Sequence, residues 1–124
     1  MALSILIVDD SEADQFLSAH TIAEYDPSAK IHKAYDGEEA INMLLGGDCV
    51  PDCIFLDINM PRMNGIEFLE RYGKLGIPDS TVIVMLTSSI RDDDYNQCMA
   101  FPYVKACLPK PLSIDELPKY LLVC

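Results

Sequence analysis

The sequence predicts a single α/β domain built on a doubly wound, five-stranded parallel sheet with helices on both faces. Two observations point there. Five short strand-like runs alternate with five segments of helical character, and the first, third and fourth are apolar on nearly every successive residue, as strands buried on both faces are. At 124 residues the chain is long enough for one core and short for a second.

Leu3 to Val8 is the first strand, interrupted only by Ser4 and ending in Asp9-Asp10. Ser11 caps a helix over about Glu12 to Ala23, with Ala13, Phe16, Leu17 and His20 on one face, and Asp26-Pro27 closes it. Ala29 to Tyr35 alternates apolar and polar residues, as a strand near an edge does. Gly37 opens a helix carrying Ala40, Ile41, Leu44 and Leu45, and Gly46-Gly47 stops it. Cys53 to Leu56 is the third strand, running directly into Asp57, with Pro61 and Gly65 breaking the backbone soon after. A third helix spans roughly Gly65 to Lys74, and Thr81 to Leu86 is a β-branched fourth strand followed by Thr87-Ser88-Ser89. A helix over about Arg91 to Ala100 starts on acids, which its dipole favours. Val104 to Leu108 is the fifth strand, and Pro109-Lys110-Pro111 a rigid turn. The last helix has Ser113 as its cap and Glu116 in capping-box position, with Ile114, Leu117, Leu121 and Leu122 inward. Pro118 within it predicts a kink or a late start.

Half the residues are hydrophobic, so a folded globule is expected rather than disorder. A net charge of −11 argues against nonspecific nucleic-acid or anionic-membrane binding, both of which need basic patches. The start, MALSILIVDD, lacks a basic flank and a cleavage site, and no apolar run is long enough to span a bilayer, so a cytoplasmic location is expected. The five cysteines, Cys49, Cys53, Cys98, Cys107 and Cys124, show no zinc-site spacing, and most read as small buried hydrophobes.

Open sheets of this kind work beyond the carboxyl ends of their strands, where strand order reverses. The residues there are Asp9-Asp10, Asp57, Thr87 and Lys110. Were the first and third strands neighbours at such a point, three carboxylates would stand side by side. Such a trio repels unless a hard divalent cation relieves it. Mg²⁺ suits this role, because it takes a few carboxylate oxygens and keeps waters that a phosphate oxygen can replace. A carboxylate can attack phosphorus to give an aspartyl phosphate, and Asp57 in the middle of the group is the natural nucleophile. Lys110 supplies a compact cation and Thr87 a hydroxyl.

The acidic pair in IVDDSE, the segment DINMPRMNG, the hydroxyl in MLTSS and the KP of LPKPL together resemble the receiver domain of two-component response regulators, over essentially the whole chain. The resemblance is to a stand-alone, chemotaxis-regulator-like receiver with a flavodoxin-like sheet of order 2-1-3-4-5. It implies a single domain over residues 1–124 without an effector domain, and a phosphoacceptor signalling protein rather than an enzyme. Asp57 would be the phosphoacceptor. Asp10 would bind Mg²⁺ directly, Asp9 largely through water, and Asn59 through its backbone carbonyl. Thr87 and Lys110 would contact the phosphoryl group, and the Lys110-Pro111 bond would be cis. Partners would be a sensor histidine kinase or histidine phosphotransfer protein and a downstream target protein. The output face would be helix four, strand five and helix five, through which a homodimer could also form. The aromatic that normally switches in this family lies three residues before the lysine; here that position is Cys107, so coupling to the output face is expected to differ, and Tyr103 lies nearby.

Each of these residues has an ordinary alternative. Asp9-Asp10 suits a helix cap, Asp57 a strand-ending loop, Thr87 a turn, and Lys110 a solvated turn. An aspartyl phosphatase would want a second acid where Asn59 stands, and a flavin-binding loop would not be as acidic as DDSEAD. A receiver-like scaffold that is never phosphorylated is the remaining competitor.

Overall fold

The computed structural model describes residues 3–47, 50–58, 60, 63–75, 81–88 and 92–121. Five parallel strands form one sheet: β1 (Ser4–Val8), β2 (Lys30–Ala34), β3 (Cys53–Asp57), β4 (Val82–Thr87) and β5 (Val104–Pro109), in the order β2-β1-β3-β4-β5. The helices are α1 (Glu12–Tyr25), α2 (Gly37–Leu45), α3 (Gly65–Gly73), α4 (Asp92–Met99) and α5 (Leu117–Tyr120), the last preceded by a 3-10 turn over Ile114–Glu116. This is the expected flavodoxin-like fold.

Period-two alternation divides the strands between two cores. Leu6, Val8, Ile54, Leu56, Ile83 and Met85 pack with Ile41, Phe68 and Leu69. Ile5, Ile7, Phe55, Val84 and Leu86 pack on the other side with Ile22, Leu117 and Leu121. The register sets Val8 beside Leu56, Asp57 beside Leu86, and Thr87 beside Pro109. The strand ends therefore step outward by one residue from β1 to β3 and again from β3 to β4, and β4 and β5 end together, so the residues at these ends share one rim.

The helix starts follow the polar residues that precede them. Ser11 Oγ accepts from the Asp14 N–H, Asp36 from the Glu39 N–H, and Asn64 and Glu67 form a reciprocal capping box.

Two expectations fail. The α1 face made by Ala13, Phe16, Leu17 and His20 is exposed, and α1 docks through Gln15, Ser18 and Ile22 instead. The reason is polar. The Gln15 amide lies within 3.2 Å of the carbonyls of Ile7, Asp9 and Ala34, so it serves backbone groups at the ends of β1 and β2 that an apolar side chain would leave bare. At the C-terminus Ser113 accepts from Asp115 rather than Glu116, while Glu116 pairs with Lys119 at 3.1 Å, and Ile114 is exposed. The helix proper begins late, at Leu117, which puts Pro118 in the first turn, where its missing N–H costs no bond. Leu122 lies outside the described residues.

Candidate functional site

Four strand ends build the site. Asp9 follows β1 and is 2% exposed, and its Oδ1 accepts from the Ser11 N–H at 2.9 Å. The carboxylate therefore faces back over the sheet rim rather than into solvent. Asp10, next in the chain, is exposed. Asp57 closes β3 and is buried, beside the β1 end because these strands are paired. One oxygen from each of Asp9, Asp10 and Asp57 lies within 4.8 Å of the others. The acids predicted to meet do meet.

That geometry fits a hard cation. Oxygens on one octahedron with arms of 2.1 Å stand at most about 4.2 Å apart, so only a small contraction is needed. The two buried acids would hold such an ion against the protein, and the exposed side at Asp10 leaves room for its waters. Asn59, the fourth expected ligand, lies outside the described residues, as do Pro61 and Ser89.

Thr87 ends β4 fully buried, and its carbonyl accepts from the Lys110 N–H at 2.8 Å, which seats the lysine over the same rim. The Lys110-Pro111 bond is cis, as the resemblance implies. The Lys110 ammonium lies 2.8 Å from Asp9 Oδ2, 3.0 Å from Asp14 Oδ2 and 3.4 Å from Asp57 Oδ2. Burial alone would discharge it, but hydrogen bonds to Asp9 and Asp14 and the charge of Asp57 outweigh that cost and hold its pKa above the usual lysine value. It is a fixed cation in an acidic pocket.

Gly65 opens α3 against this rim. A Cβ there would stand 2.7 Å from the Asp57 carbonyl oxygen and 2.9 Å from Ile58 Cα. The glycine that looked like a simple breaker lets α3 start directly beside the backbone of the central acid.

Sequence reasoning missed Asp14 and Gln15. Asp14 reaches Lys110 across 96 positions, and its only local signal is its place in the first turn of a capped helix. At Cys107, β5 pairs with Met85 and a half-buried thiol packs against the core. Tyr103 does not stand in for an aromatic there. Its hydroxyl donates to the Leu69 carbonyl, and its ring lies 5.2 Å from that of Tyr72 and 5.7 Å from that of Phe101, which ties it to α3 at the far end of β5 from Lys110.

A family model described as the response regulator receiver domain matches residues 5–122. The chain belongs to that family. Among solved structures, this receiver domain resembles a two-component response regulator from Cytophaga hutchinsonii, with a TM-score of 0.87 at 27% identity over 97% of this chain and 95% of that one. The chemotaxis protein CheY4 of Vibrio cholerae gives 0.79 at 28% identity, over 96% and 95%. Among curated proteins, the probable methanogenesis regulatory protein FilR2 of Methanothrix harundinacea is 29% identical over 93% of this chain and 76% of its own length. Response regulator MprA of Mycobacterium bovis is 31% identical over 94% of this chain but 48% of its own length, and sensor histidine kinase RcsC of Salmonella typhi 29% over 98% and 12%. Receiver domains are phosphoacceptor signalling domains that interact with histidine kinases or phosphotransfer proteins, and they are not classed as enzymes. No helix among the described residues is long and apolar enough to cross a membrane.

Proposed function

We propose that this receiver domain takes a phosphoryl group onto Asp57 from the phosphohistidine of a sensor histidine kinase or phosphotransfer protein. It would signal through a partner protein or an onward relay. An oxygen of the Asp57 carboxylate attacks phosphorus as the P–N bond breaks, and the departing imidazole keeps the bond's electron pair and takes a proton. The observation that carries this reading is a lysine ammonium and three carboxylates on one rim, with two of the acids buried. Such a rim has charge to stabilise a transferring phosphoryl group, and position 59, where an aspartyl phosphatase would want a second acid, is Asn.

Asp9, Asp10, Asp57 and the Asn59 carbonyl would hold Mg²⁺, which when bound supplies charge neutralisation to the phosphoryl oxygens. Lys110 then pairs with one phosphoryl oxygen, and the Thr87 hydroxyl donates to another. Transfer to Asp57 replaces a singly charged carboxylate with an acyl phosphate carrying close to two negative charges, a net gain of about one at the rim and a local change able to bias a two-state output face of α4, β5 and α5.

Intact-mass spectrometry after treatment with acetyl phosphate and Mg²⁺ tests this. One added phosphoryl group, absent in Asp57→Asn and in EDTA, is expected. No added mass would leave a scaffold, and continuous release of inorganic phosphate would mean a phosphatase.

A further inference from the structure

Of the three carboxylates around Lys110, Asp14 alone belongs neither to the acid trio nor to a strand end. Its position is nonetheless well fixed. Its N–H donates to Ser11 Oγ at 3.3 Å, within the first turn of α1, and its Oδ2 meets the ammonium at 3.0 Å, closer than Asp57 does at 3.4 Å. The Lys110 side chain is 13% exposed, so water has little access to it, and an ammonium has three N–H groups to give. Three acids already stand around those three donors.

A phosphoryl oxygen on Asp57 needs one of those donors. Asp9, nearest at 2.8 Å, is one of the acids that would turn to the cation in the proposed site, and Asp57 is the group being modified. Asp14 is the contact left to compete. Its charge also faces an incoming anion, an unfavourable encounter at this range.

From this geometry we infer that Asp14 is a positioning residue that holds Lys110 toward α1 and competes with the phosphoryl group for its ammonium. The inference rests on the reading that Lys110 pairs with a phosphoryl group on Asp57. Removing the Asp14 charge releases one of the three contacts that hold the ammonium without altering the acid trio.

The test is a titration with beryllium fluoride, a phosphoryl mimic, at saturating Mg²⁺, followed by NMR at the Thr87 amide. Asp14→Asn is expected to tighten binding by about three- to tenfold, the worth of a partly screened charge-assisted hydrogen bond. Asp14→Glu, which restores the charge, is expected to return toward wild type, and Asp14→Ser serves as a second neutral variant. Without metal, the Lys110 Cε and Nζ resonances should move in Asp14→Asn and Asp14→Ser, and less in Asp14→Glu. A purely structural role would shift the melting temperature and leave mimic affinity alone. If wild type binds the mimic and both neutral variants bind it equally or more weakly, the Asp14 inference is wrong and the phosphoacceptor reading stands. If wild type neither binds the mimic nor gains mass with acetyl phosphate, the underlying reading itself fails.

Discussion

Replacing Lys110 by Met removes the ammonium and keeps most of the stem, which isolates the charge. Its partners Asp9 and Asp57 are 2% and 7% exposed at their side chains, so the variant leaves two buried carboxylates beside each other without their cation. Breaking a buried ion pair in this way costs about 3–5 kcal/mol. The Asp14 contact, 35% exposed, is screened and adds less than about 1 kcal/mol. For a chain of this length 1 kcal/mol moves the melting temperature by roughly 3–5 °C, so a fall of about 10–20 °C is expected in metal-free buffer. In the proposed site, saturating Mg²⁺ would supply the missing positive charge to the same acids, so the variant is expected to gain more from metal than wild type does. Linkage fixes the size of that gain. Each 1.4 kcal/mol by which the gap narrows requires about tenfold tighter Mg²⁺ binding in the variant. Urea denaturation in EDTA and in Mg²⁺, with a separate Mg²⁺ titration, measures both sides. A gap below about 1 kcal/mol in EDTA, or one that metal leaves unchanged, would refute a lysine that neutralises this pocket.

Gly65→Ala forces a methyl group into the Asp57 carbonyl and Ile58 Cα, so a loss of about 1–3 kcal/mol is expected, together with slower phosphorylation from acetyl phosphate. Unchanged urea midpoint and rate would contradict the close approach. Burial, then the nearby Asp52 charge, hold the Cys53 thiol above its ordinary value of 9.0. The folded state thus keeps a proton that the unfolded state loses, and stability falls as pH rises past about 9, approaching roughly 1.4 kcal/mol per pH unit. Lys110 acts with the same sign but only above its ordinary 10.5. In Cys53→Ala the pH-dependent loss should start later, and an unaltered profile in urea melts would count against it. Cys107→Tyr is expected to enlarge the NMR shifts that beryllium fluoride produces on the α4–β5–α5 face, and identical shifts in both proteins would show that the thiol does not limit coupling.

Much of this was legible because the sheet's needs are local. Two-sided apolar runs announce buried parallel strands, and Asp9, Asp57, Thr87 and Lys110 were visible as polar residues where such runs stop. The α1 surface was not legible. Phe16 and Leu17 look like a core face, yet the strand-end carbonyls need the Gln15 amide, and that requirement turns the helix. The Asp14 contact is equally hidden, since its lysine is recruited from the far end of the chain. Gly65 announced a break in the backbone but not its neighbour.

The central acid crowns a strand whose two preceding residues, Phe55 and Leu56, are rooted on opposite sides of the sheet. A tug on that crown is transmitted into both halves of the molecule together. A spectroscopic label confined to one half would register only part of the response, so reporters belong in pairs, one beneath each layer of helices.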